Sequence, residues 1–517
     1  MACRRIGRRC AAPDTGTDRI PGRTGGRRPP RANNAPGSAP AGRSVGGVTI
    51  TAPTDRPRTV GELRASGHRL RSVRQELREN LLTALRAEHN PWPGIVGFDT
   101  TVLPQLERAL LAGHDIVLLG ERGQGKTRLL RTLPLLLLLD EWTPEIEGSD
   151  LGEHPYEPIT PVSVRRADEL GDDLPVGWRH RSQRYTEKLA TPDTAVADLI
   201  GDVDPVKVAE GRSLGDPETI HYGLVPRAHR GIVAINELPD LAERIQVSLL
   251  NVMEERDIQV RGYTLRLPLD VLLVASANPE DYTNRGRIIT PLKDRFGAEI
   301  RTHYPLELAD EVAVIKQEAD LVAAVPEHLL EILARFTRLL RESSAIDQGS
   351  GVSARFSVAA AETVAGAALR RAALVRENTA TARPVDLLSV PSVLRGKLEF
   401  AAGEEGREDE ILEHLLRRAT ADTARRALRG VDLAPLAEAV TATPVRTGDL
   451  VPAATVVGSL PSGRGPNRIV TEVANRLGVV GTEDPGPMAS AAELALELLF
   501  LTRKLAKSAD DDTVQYG

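Results

Sequence analysis

The order of apolar and polar segments divides the chain into a middle part with short strands and a second half with helices. Three apolar runs in the middle, residues 116–119, 231–237 and 270–278, are short and end in polar or glycine residues. Such runs predict strands buried on both faces, as in a parallel sheet. From residue 306 onward, apolar positions recur at helical spacing, most regularly over residues 327–343. The pattern predicts an α/β core followed by helices.

The same pattern predicts five segments. They are a tail at 1–47, a helical N-terminal segment at 48–91, an α/β core at 92–305 with an insert at about 141–188, an α-helical lid at 306–430, and a mostly helical C-terminal extension at 431–517. The region from about 141 to 230 is long, polar and rich in Pro and Gly, and its strands cannot be placed from the pattern.

The tail differs from the rest in composition. Residues 1–47 hold ten Arg and two Asp, with no Lys, Glu or aromatic residue. Such a segment buries too little apolar surface to offset its ordering entropy, so we expect disorder, or sequence upstream of a true start near Val48. A basic arm for nucleic acid is an alternative. A twin-arginine signal is not favoured, because no apolar segment of about 7–15 residues follows the arginines.

Composition narrows the class of protein. Hydrophobic residues make up 41% of the 517 residues and aromatic residues 3%, so the core must consist mainly of Leu, Val, Ala and Ile. The cysteines are Cys3 and Cys10, which excludes a disulfide framework elsewhere. The net charge is −6 and would be more negative without the tail, so nucleic acid is not an expected partner. No apolar run approaches the ~18 residues that span a bilayer, so we expect a cytoplasmic protein.

A phosphate-binding motif follows the first predicted strand. Gly120, four further residues and then Gly125-Lys126-Thr127 form the P-loop pattern between a strand and a helix. Its glycines let backbone N–H groups surround phosphates, the lysine reaches the terminal phosphates and the threonine hydroxyl can bind Mg²⁺. The sequence therefore predicts ATP and Mg²⁺ as cofactors. The predicted loop residues are Gly120, Glu121, Arg122, Gly123, Gln124, Gly125, Lys126 and Thr127.

Hydrolysis needs polar groups from other strands beside the terminal phosphate. Glu237 ends one buried strand and is the predicted base, and Asn278 ends the next and could orient the attacking water. Arg295, in the stretch LKDRF, could reach the nucleotide of a neighbouring subunit. Arg355, at the start of a predicted lid helix, could contact the phosphates from above.

Together these residues resemble an AAA+ ATPase of the branch that contains the magnesium chelatase I subunit and the MoxR ATPases. The most specific stretches are IVG at 95–97, DLIGDVD at 198–204, GLVPRAHRGIVAINE at 223–237 and ANPEDYTNRGRIITPLKDRFG at 277–297.

The resemblance implies a fold and a set of roles. The fold would be a P-loop NTPase (AAA+) parallel sheet with flanking helices, a helical lid and further C-terminal helices. Glu237 would be the Walker B glutamate, Asn278 sensor 1, Arg295 the arginine finger and Arg355 the sensor 2 arginine. Ile95, Val96 and Gly97 would contact the nucleotide. The resemblance also implies a homo-oligomeric ring of six subunits and a partner protein with a von Willebrand A domain.

One position departs from the family pattern. The Walker B aspartate position holds Asn236, which keeps a carbonyl oxygen but lacks the negative charge that attracts a cation. We expect Thr127, Asn236 and Glu237 to lie around Mg²⁺, with weakened metal affinity and retained hydrolysis. A nearby acid such as Asp240 could compensate.

The predicted function is coupling of ATP binding and hydrolysis to remodelling of a partner protein, with metal insertion into a cofactor or enzyme as one candidate output. Two alternatives stay open. One is a nucleotide-gated scaffold with little turnover. The other is an enhancer-binding transcription regulator with the same core, although neither a GAFTGA-type loop nor a helix-turn-helix is found in the sequence.

Overall fold

The computed structural model describes residues 53, 55–134, 138–212, 217–255, 258–260, 263–265, 267–278, 287–347, 351–461, 464–479, 484–510 and 513–517. The predicted tail at 1–47 lies outside these residues. The strands are β1 Ile116–Leu119, β2 Trp142–Ile146, β3 Val176–His180, β4 Tyr185–Leu189, β5 Gly201–Val203, β6 Ile220–Tyr222, β7 Gly231–Asn236, β8 Ile258–Val260, β9 Tyr263–Leu265, β10 Val271–Ala277, β11 Ala298–Arg301, β12 Val445–Thr447, β13 Lys507–Asp510 and β14 Thr513–Tyr516.

Helices occur in both halves of the described chain. They are α1 Val60–Ala65, α2 Val73–Arg86, α3 Val102–Ala112, α4 Lys126–Thr132, α5 Pro161–Leu170, α6 Val196–Leu199, α7 Pro205–Ala209, α8 Leu224–Arg227, α9 Glu243–Glu255, α10 Thr290–Arg295, α11 Leu308–Glu318, α12 Glu327–Glu342, α13 Ala354–Val375, α14 Ser389–Leu394, α15 Glu408–Ala427, α16 Ala434–Ala442, α17 Ala453–Ser459, α18 Arg464–Arg476 and α19 Pro485–Leu501. Short 3₁₀ helices lie at Gly171–Asp173, Arg181–Gln183, Pro217–Thr219, Leu238–Asp240, Pro384–Leu388 and Arg395–Lys397.

The main sheet has five parallel strands in the order β11-β1-β10-β7-β4. Leu119 pairs with Ala277 and Ala275 pairs with Ile235, so the ends of β1, β10 and β7 lie at one edge of the sheet. Ligands of open α/β sheets bind at this carboxyl edge. The predicted α/β fold class, a parallel sheet with flanking helices, is confirmed.

Both faces of the sheet are covered, which explains why its strands are apolar throughout. Ile116 and Leu118 pack into the hydrophobic cluster that holds α2 and α3, whereas Val117 and Leu119 pack into the cluster on the side of α9. Successive side chains of a strand point to opposite faces, so a strand buried on both faces loses the apolar–polar alternation. This burial is the physical origin of the short apolar runs in the sequence.

Several elements of the first half differ from the sequence pattern. The predicted helical N-terminal segment at 48–91 holds two helices, α1 and α2, with Gly67 between them at a φ of +74°. The region from 141 to 230, whose strands could not be placed from the sequence pattern, holds β2 to β6. Of these, β2 and β3 form an antiparallel pair on which α1 packs, and β4, at the end of the predicted insert, is the edge strand of the main sheet. Strands β2 and β4, whose residues are about 40 positions apart in the predicted insert, therefore belong to different sheets.

The second half is helical from residue 308 and ends in a three-stranded sheet of order β12-β14-β13. One hydrophobic cluster runs from Val312 to Tyr516 and includes residues of both the predicted lid and the predicted extension. Within the described part of the chain, none of the helices has the length and apolar character needed to cross a membrane.

Candidate functional site

The loop between β1 and α4 has the backbone conformation that a phosphate-binding loop needs. Gly123 and Gly125 have φ values of +75° and +77°, a region that side chains disfavour. The buried amide of Gln124 supports the loop, because its Oε1 accepts hydrogen bonds from the backbone N–H of Glu121 at 3.1 Å and from the hydroxyl of Thr302 at 2.9 Å. The loop is therefore tied to the residue that follows β11.

Lys126 is the first residue of α4, and its side chain is buried. Its Nζ donates to the backbone oxygens of Gly120 at 2.5 Å and Glu121 at 2.8 Å, and to Oδ1 of Asn278 at 2.7 Å. The ammonium thus lies at the edge of the sheet between the ends of β1 and β10.

The predicted base and the predicted sensor contact each other. Nδ2 of Asn278 donates to Oε2 of Glu237 at 2.7 Å. Glu237 has a φ of +56°, which is uncommon for a residue with a side chain, and its N–H donates to the hydroxyl of Ser276 at 3.3 Å. The end of β7 therefore turns sharply, and the carboxylate lies against the amide that also contacts Lys126.

Oxygen atoms of two predicted metal-binding residues face each other beside this group. The hydroxyls of Thr127 and Ser276 donate to Oδ1 of Asn236 at 3.3 and 3.1 Å. Hydroxyl and amide oxygens suit Mg²⁺, which usually takes few protein ligands and keeps water and phosphate oxygens. No group of three His, Cys, Asp or Glu within the described ranges is arranged to hold a metal ion. The residues present fit a Mg²⁺ that comes with a nucleotide.

Sequence reasoning missed Glu187, which lies on the edge strand β4. Its Oε1 accepts a hydrogen bond from Nδ2 of Asn236 at 2.8 Å, and both its oxygens accept from Arg131 of α4, at 2.7 and 2.8 Å. The hydrogen bonds from Arg131 hold the pKa of Glu187 below its usual range. The acid that contacts Asn236 is therefore Glu187. Asp240, the acid suggested from the sequence, lies at the end of the 3₁₀ helix after Glu237.

The predicted nucleotide-contacting segment Ile95, Val96 and Gly97 lies between the core and the first lid helix. The backbone oxygen of Gly94 accepts from Nε2 of Gln317 at 3.0 Å. A Cβ added to Gly97, whose φ is +78°, would lie 3.3 Å from Oδ2 of Asp310. Both contacts come from α11, so this segment is placed where core and lid meet.

The segment between β11 and α11 contacts the P-loop and links it to the helices that follow. The hydroxyl of Tyr304 donates to the backbone oxygen of Arg122 at 2.9 Å, and the guanidinium of Arg341 lies 4.0 Å from the centre of the Tyr304 ring. Arg341 in turn donates two hydrogen bonds to the buried carboxylate of Glu311, at 2.7 and 3.0 Å. This chain of contacts joins α11 and α12 to the loop that would surround phosphates.

The two predicted arginines lie apart from the group around Lys126. Arg295 is exposed at the end of α10 and forms an ion pair of 2.5 Å with Glu254 of α9. Arg355 is exposed in the first turn of α13, and its backbone N–H donates to the hydroxyl of Ser353 at 3.1 Å. Ser353 itself faces the P-loop, because a Cβ on Gly123 would lie 1.8 Å from its Oγ. Their roles stay predictions.

The fold is assigned from the order of the site residues along the chain and from the order of the strands in the sheet. The P-loop follows β1, Asn236 ends β7 and Glu237 follows it, Asn278 follows β10, and a series of helices follows β11. In the sheet, β1 lies between β11 and β10. The core has the AAA+ fold.

Comparisons with known proteins agree with the AAA+ assignment but cover only part of the chain. A family model described as the Sigma-54 interaction domain matches residues 211–295. An archaeal Lon protease from Thermococcus kodakarensis is 27% identical over 159 residues, which cover 27% of this chain and 25% of the relative. The acetoin dehydrogenase operon transcriptional activator AcoR from Bacillus subtilis is 28% identical over 155 residues, 29% of this chain and 25% of that protein. The chain thus spans about a quarter of the length of these relatives.

Solved structures are similar to this chain at low sequence identity. A putative ATPase from Cytophaga hutchinsonii is 17% identical with a TM-score of 0.28, covering 69% of this chain and 98% of that one. A structure of the BchI and BchD subunits of magnesium chelatase is 21% identical with a TM-score of 0.32, covering 62% of this chain and 98% of that one. Because these scores are below 0.5, the fold assignment depends on the strand order and the site, and not on these likenesses.

Proposed function

We propose that this protein is an ATP hydrolase of the AAA+ type that uses Mg²⁺. The observation that carries the proposal is the hydrogen-bonded chain from Lys126 through Asn278 to Glu237. It joins the P-loop to the carboxyl ends of β10 and β7. A phosphate-binding cation, a polar orienting group and a carboxylate in contact are the parts that phosphoryl transfer to water requires.

Each side chain has a role in this proposal. Lys126 binds the terminal phosphates, and the loop N–H groups bind the others. Thr127, Asn236 and Glu237 would lie around the Mg²⁺, which would neutralise charge on the phosphate oxygens when bound. Glu237 accepts a proton from the attacking water and Asn278 orients that water. Arg295 acts on the nucleotide of a neighbouring subunit in a ring, and Arg355 contacts the phosphates of its own subunit from the lid.

The output that we propose is remodelling of a partner protein, similar to the magnesium chelatase I subunit and the MoxR ATPases. The motifs at 198–204, 223–237 and 277–297 support this branch. A six-membered ring, a partner with a von Willebrand A domain and a cytoplasmic location belong to the same proposal, as does metal insertion into a cofactor or enzyme as one candidate output.

A second candidate is a regulator that acts on sigma-54 RNA polymerase. The match of residues 211–295 to the Sigma-54 interaction domain and the similarity to AcoR favour it. The absence of a GAFTGA-type loop from the sequence argues against it. Promoter opening by sigma-54 polymerase, measured with and without this protein and ATP, separates the two candidates.

The proposed activity is tested by Mg²⁺-dependent release of phosphate from ATP by the full chain, with particle mass measured by light scattering. We expect turnover and ATP-driven assembly in the native protein. Lys126→Ala should lose nucleotide binding, and Glu237→Gln should bind ATP but lose turnover by about 100-fold or more. Glu79→Gln, an exposed change on α2, serves as the control. Tight ATP binding without turnover in the native protein would instead indicate a nucleotide-gated scaffold.

A further inference from the structure

The pairing of β4 with β7 brings a carboxylate to the one position where the Walker B pattern lacks it. The two strands are parallel, with Leu189 opposite Asn236 and Glu187 opposite Ala234. The Glu187 side chain reaches along the sheet to the amide of Asn236 at 2.8 Å. Asn236 is buried, while the Glu187 side chain is 21% exposed.

This contact determines which way the Asn236 amide points. The hydroxyls of Thr127 and Ser276 can donate or accept, so they alone would tolerate either orientation. An ionised carboxylate can only accept, so the NH₂ group must face Glu187. Oδ1 must therefore face the hydroxyl of Thr127, the side from which a metal would be held.

The charge of Glu187 is retained at the site. Arg131 donates two hydrogen bonds to the carboxylate, but the arginine side chain is 63% exposed. Solvent screens the exposed cation more strongly than the groups around buried Asn236. The negative charge that an aspartate would carry on β7 is thus present one strand away.

We propose that Glu187 is a positioning residue for the metal. Its carboxylate supplies the negative charge that Asn236 lacks, and it orients the Asn236 oxygen toward the nucleotide-bound Mg²⁺. This inference rests on the proposed function, because the metal comes with the nucleotide. Carboxylates behind metal ligands typically change metal affinity by 10–100-fold, so the effect is measurable.

A purely structural role for the ion pair makes a different prediction. If Glu187 and Arg131 only tied the edge strand to α4, removing either partner would have the same effect. If Glu187 acts through its charge, removing the cation should leave metal affinity unchanged or increase it, while removing the carboxylate should lower it.

The test measures the Mg²⁺ concentration that half-saturates binding of a fluorescent ADP analogue to the full chain. We expect Glu187→Gln to raise this concentration about tenfold without changing ADP affinity in EDTA. Asn236→Asp in the Glu187→Gln background should restore it to within about threefold of native, since one carboxylate is again present. Arg131→Met should not raise it.

Each outcome decides between the roles. An unchanged Mg²⁺ requirement in Glu187→Gln, a double variant no better than Glu187→Gln, or an equal rise in Arg131→Met would overturn the inference. Should Glu187→Gln unfold below the assay temperature, Arg131→Met and Asn236→Asp decide alone, because a higher Mg²⁺ requirement in either also overturns it. If the native protein binds no ADP analogue, or Lys126→Ala binds it equally well, the proposed function fails instead.

Discussion

At the scale of single residues, the site depends on a glycine, Gly123, at which there is no room for a Cβ atom. Gly123 combines a φ of +75° with direct contact between the P-loop and the lid, since an added Cβ would lie 1.8 Å from Oγ of Ser353. The glycine is thus needed twice, once for the backbone turn and once for the approach of α13. Glu237 shows the opposite case, because it holds a φ of +56° despite its side chain.

These two demands on Gly123 can be separated. Gly123→Ala should weaken nucleotide binding about tenfold, since the methyl group forces α13 away and a left-handed conformation costs about 1–2 kcal/mol. Adding Ser353→Gly should recover part of this loss, because it removes the side-chain contacts at 1.8 and 2.6 Å, while the close approach of the residue 353 Cα at 2.9 Å and the backbone strain remain. Fluorescence titration of the single and double variants measures both.

Ser353→Gly alone is the control, since glycine at a helix N-cap costs only a few tenths of a kcal/mol. Native affinity in Gly123→Ala, or no recovery in the double variant, would contradict the account.

At the scale of elements, α2 is joined to the main sheet by a buried ion pair. Arg184, immediately before β4, donates two hydrogen bonds to Glu76 of α2 at 2.7 and 2.6 Å, and both side chains are buried. Glu76 also accepts from the backbone N–H of Asp140. Helix α2 is therefore joined to the main sheet by buried polar contacts, although its sequence is that of a charged helix.

The same helix offers a matched pair of substitutions. Glu76→Ala should lower the free energy of unfolding by about 3–5 kcal/mol, because it leaves the Arg184 charge buried without its partner. Glu79→Ala, which removes the more exposed partner of Arg71, should cost less than about 1 kcal/mol. Urea unfolding of both variants makes the comparison, and equal losses would show that α2 does not depend on the buried pair.

At the scale of the whole molecule, the helices after β11 and the C-terminal helix α19 share buried ionisable side chains as well as one hydrophobic cluster. Glu493 of α19 lies 3.5 Å from Nε of Arg383, and both side chains are buried. Arg383 also donates to the backbone oxygens of Val451 and Gly448 at 3.0 and 2.8 Å. A helix near the C-terminus is thereby joined to residues that precede it by more than 100 positions.

This contact makes stability depend on pH. Burial, together with the carboxylate of Asp386, raises the pKa of Glu493 to about 7 despite the nearby Arg383 and Arg371. The folded-state pKa lies above the unfolded value of about 4.3. The neutral side chain therefore contributes stability that is fully present below about pH 4.3. This contribution is lost as the pH rises toward about 7 and above.

Glu493→Gln stays neutral, so its stability relative to the native protein should increase by about 2–3 kcal/mol between pH 5 and pH 8. Urea unfolding of both proteins at the two pH values measures this, and the difference cancels groups that titrate equally in both. The same relative stability at both pH values would contradict it.

The sequence by itself determined the parts of this protein whose geometry is local. The P-loop lies within eight residues, and the glycines that permit positive φ values at positions 123 and 125 can be read from the sequence. Strands β1, β7 and β10 can likewise be predicted from their apolar runs, because strands buried on both faces need apolar side chains throughout.

Only the tertiary structure decided which distant residues meet. Glu187 contacts Asn236 through strand pairing across 49 positions, and nothing in either local pattern indicates the partner. Strand β4 was hidden in a predicted insert because its edge position leaves Glu187 and Lys188 partly exposed, which removes the apolar signature. Arg184 with Glu76 and Arg383 with Glu493 are further cases. A charge can be buried only where the fold brings its partner, and that choice depends on the packing of the whole chain.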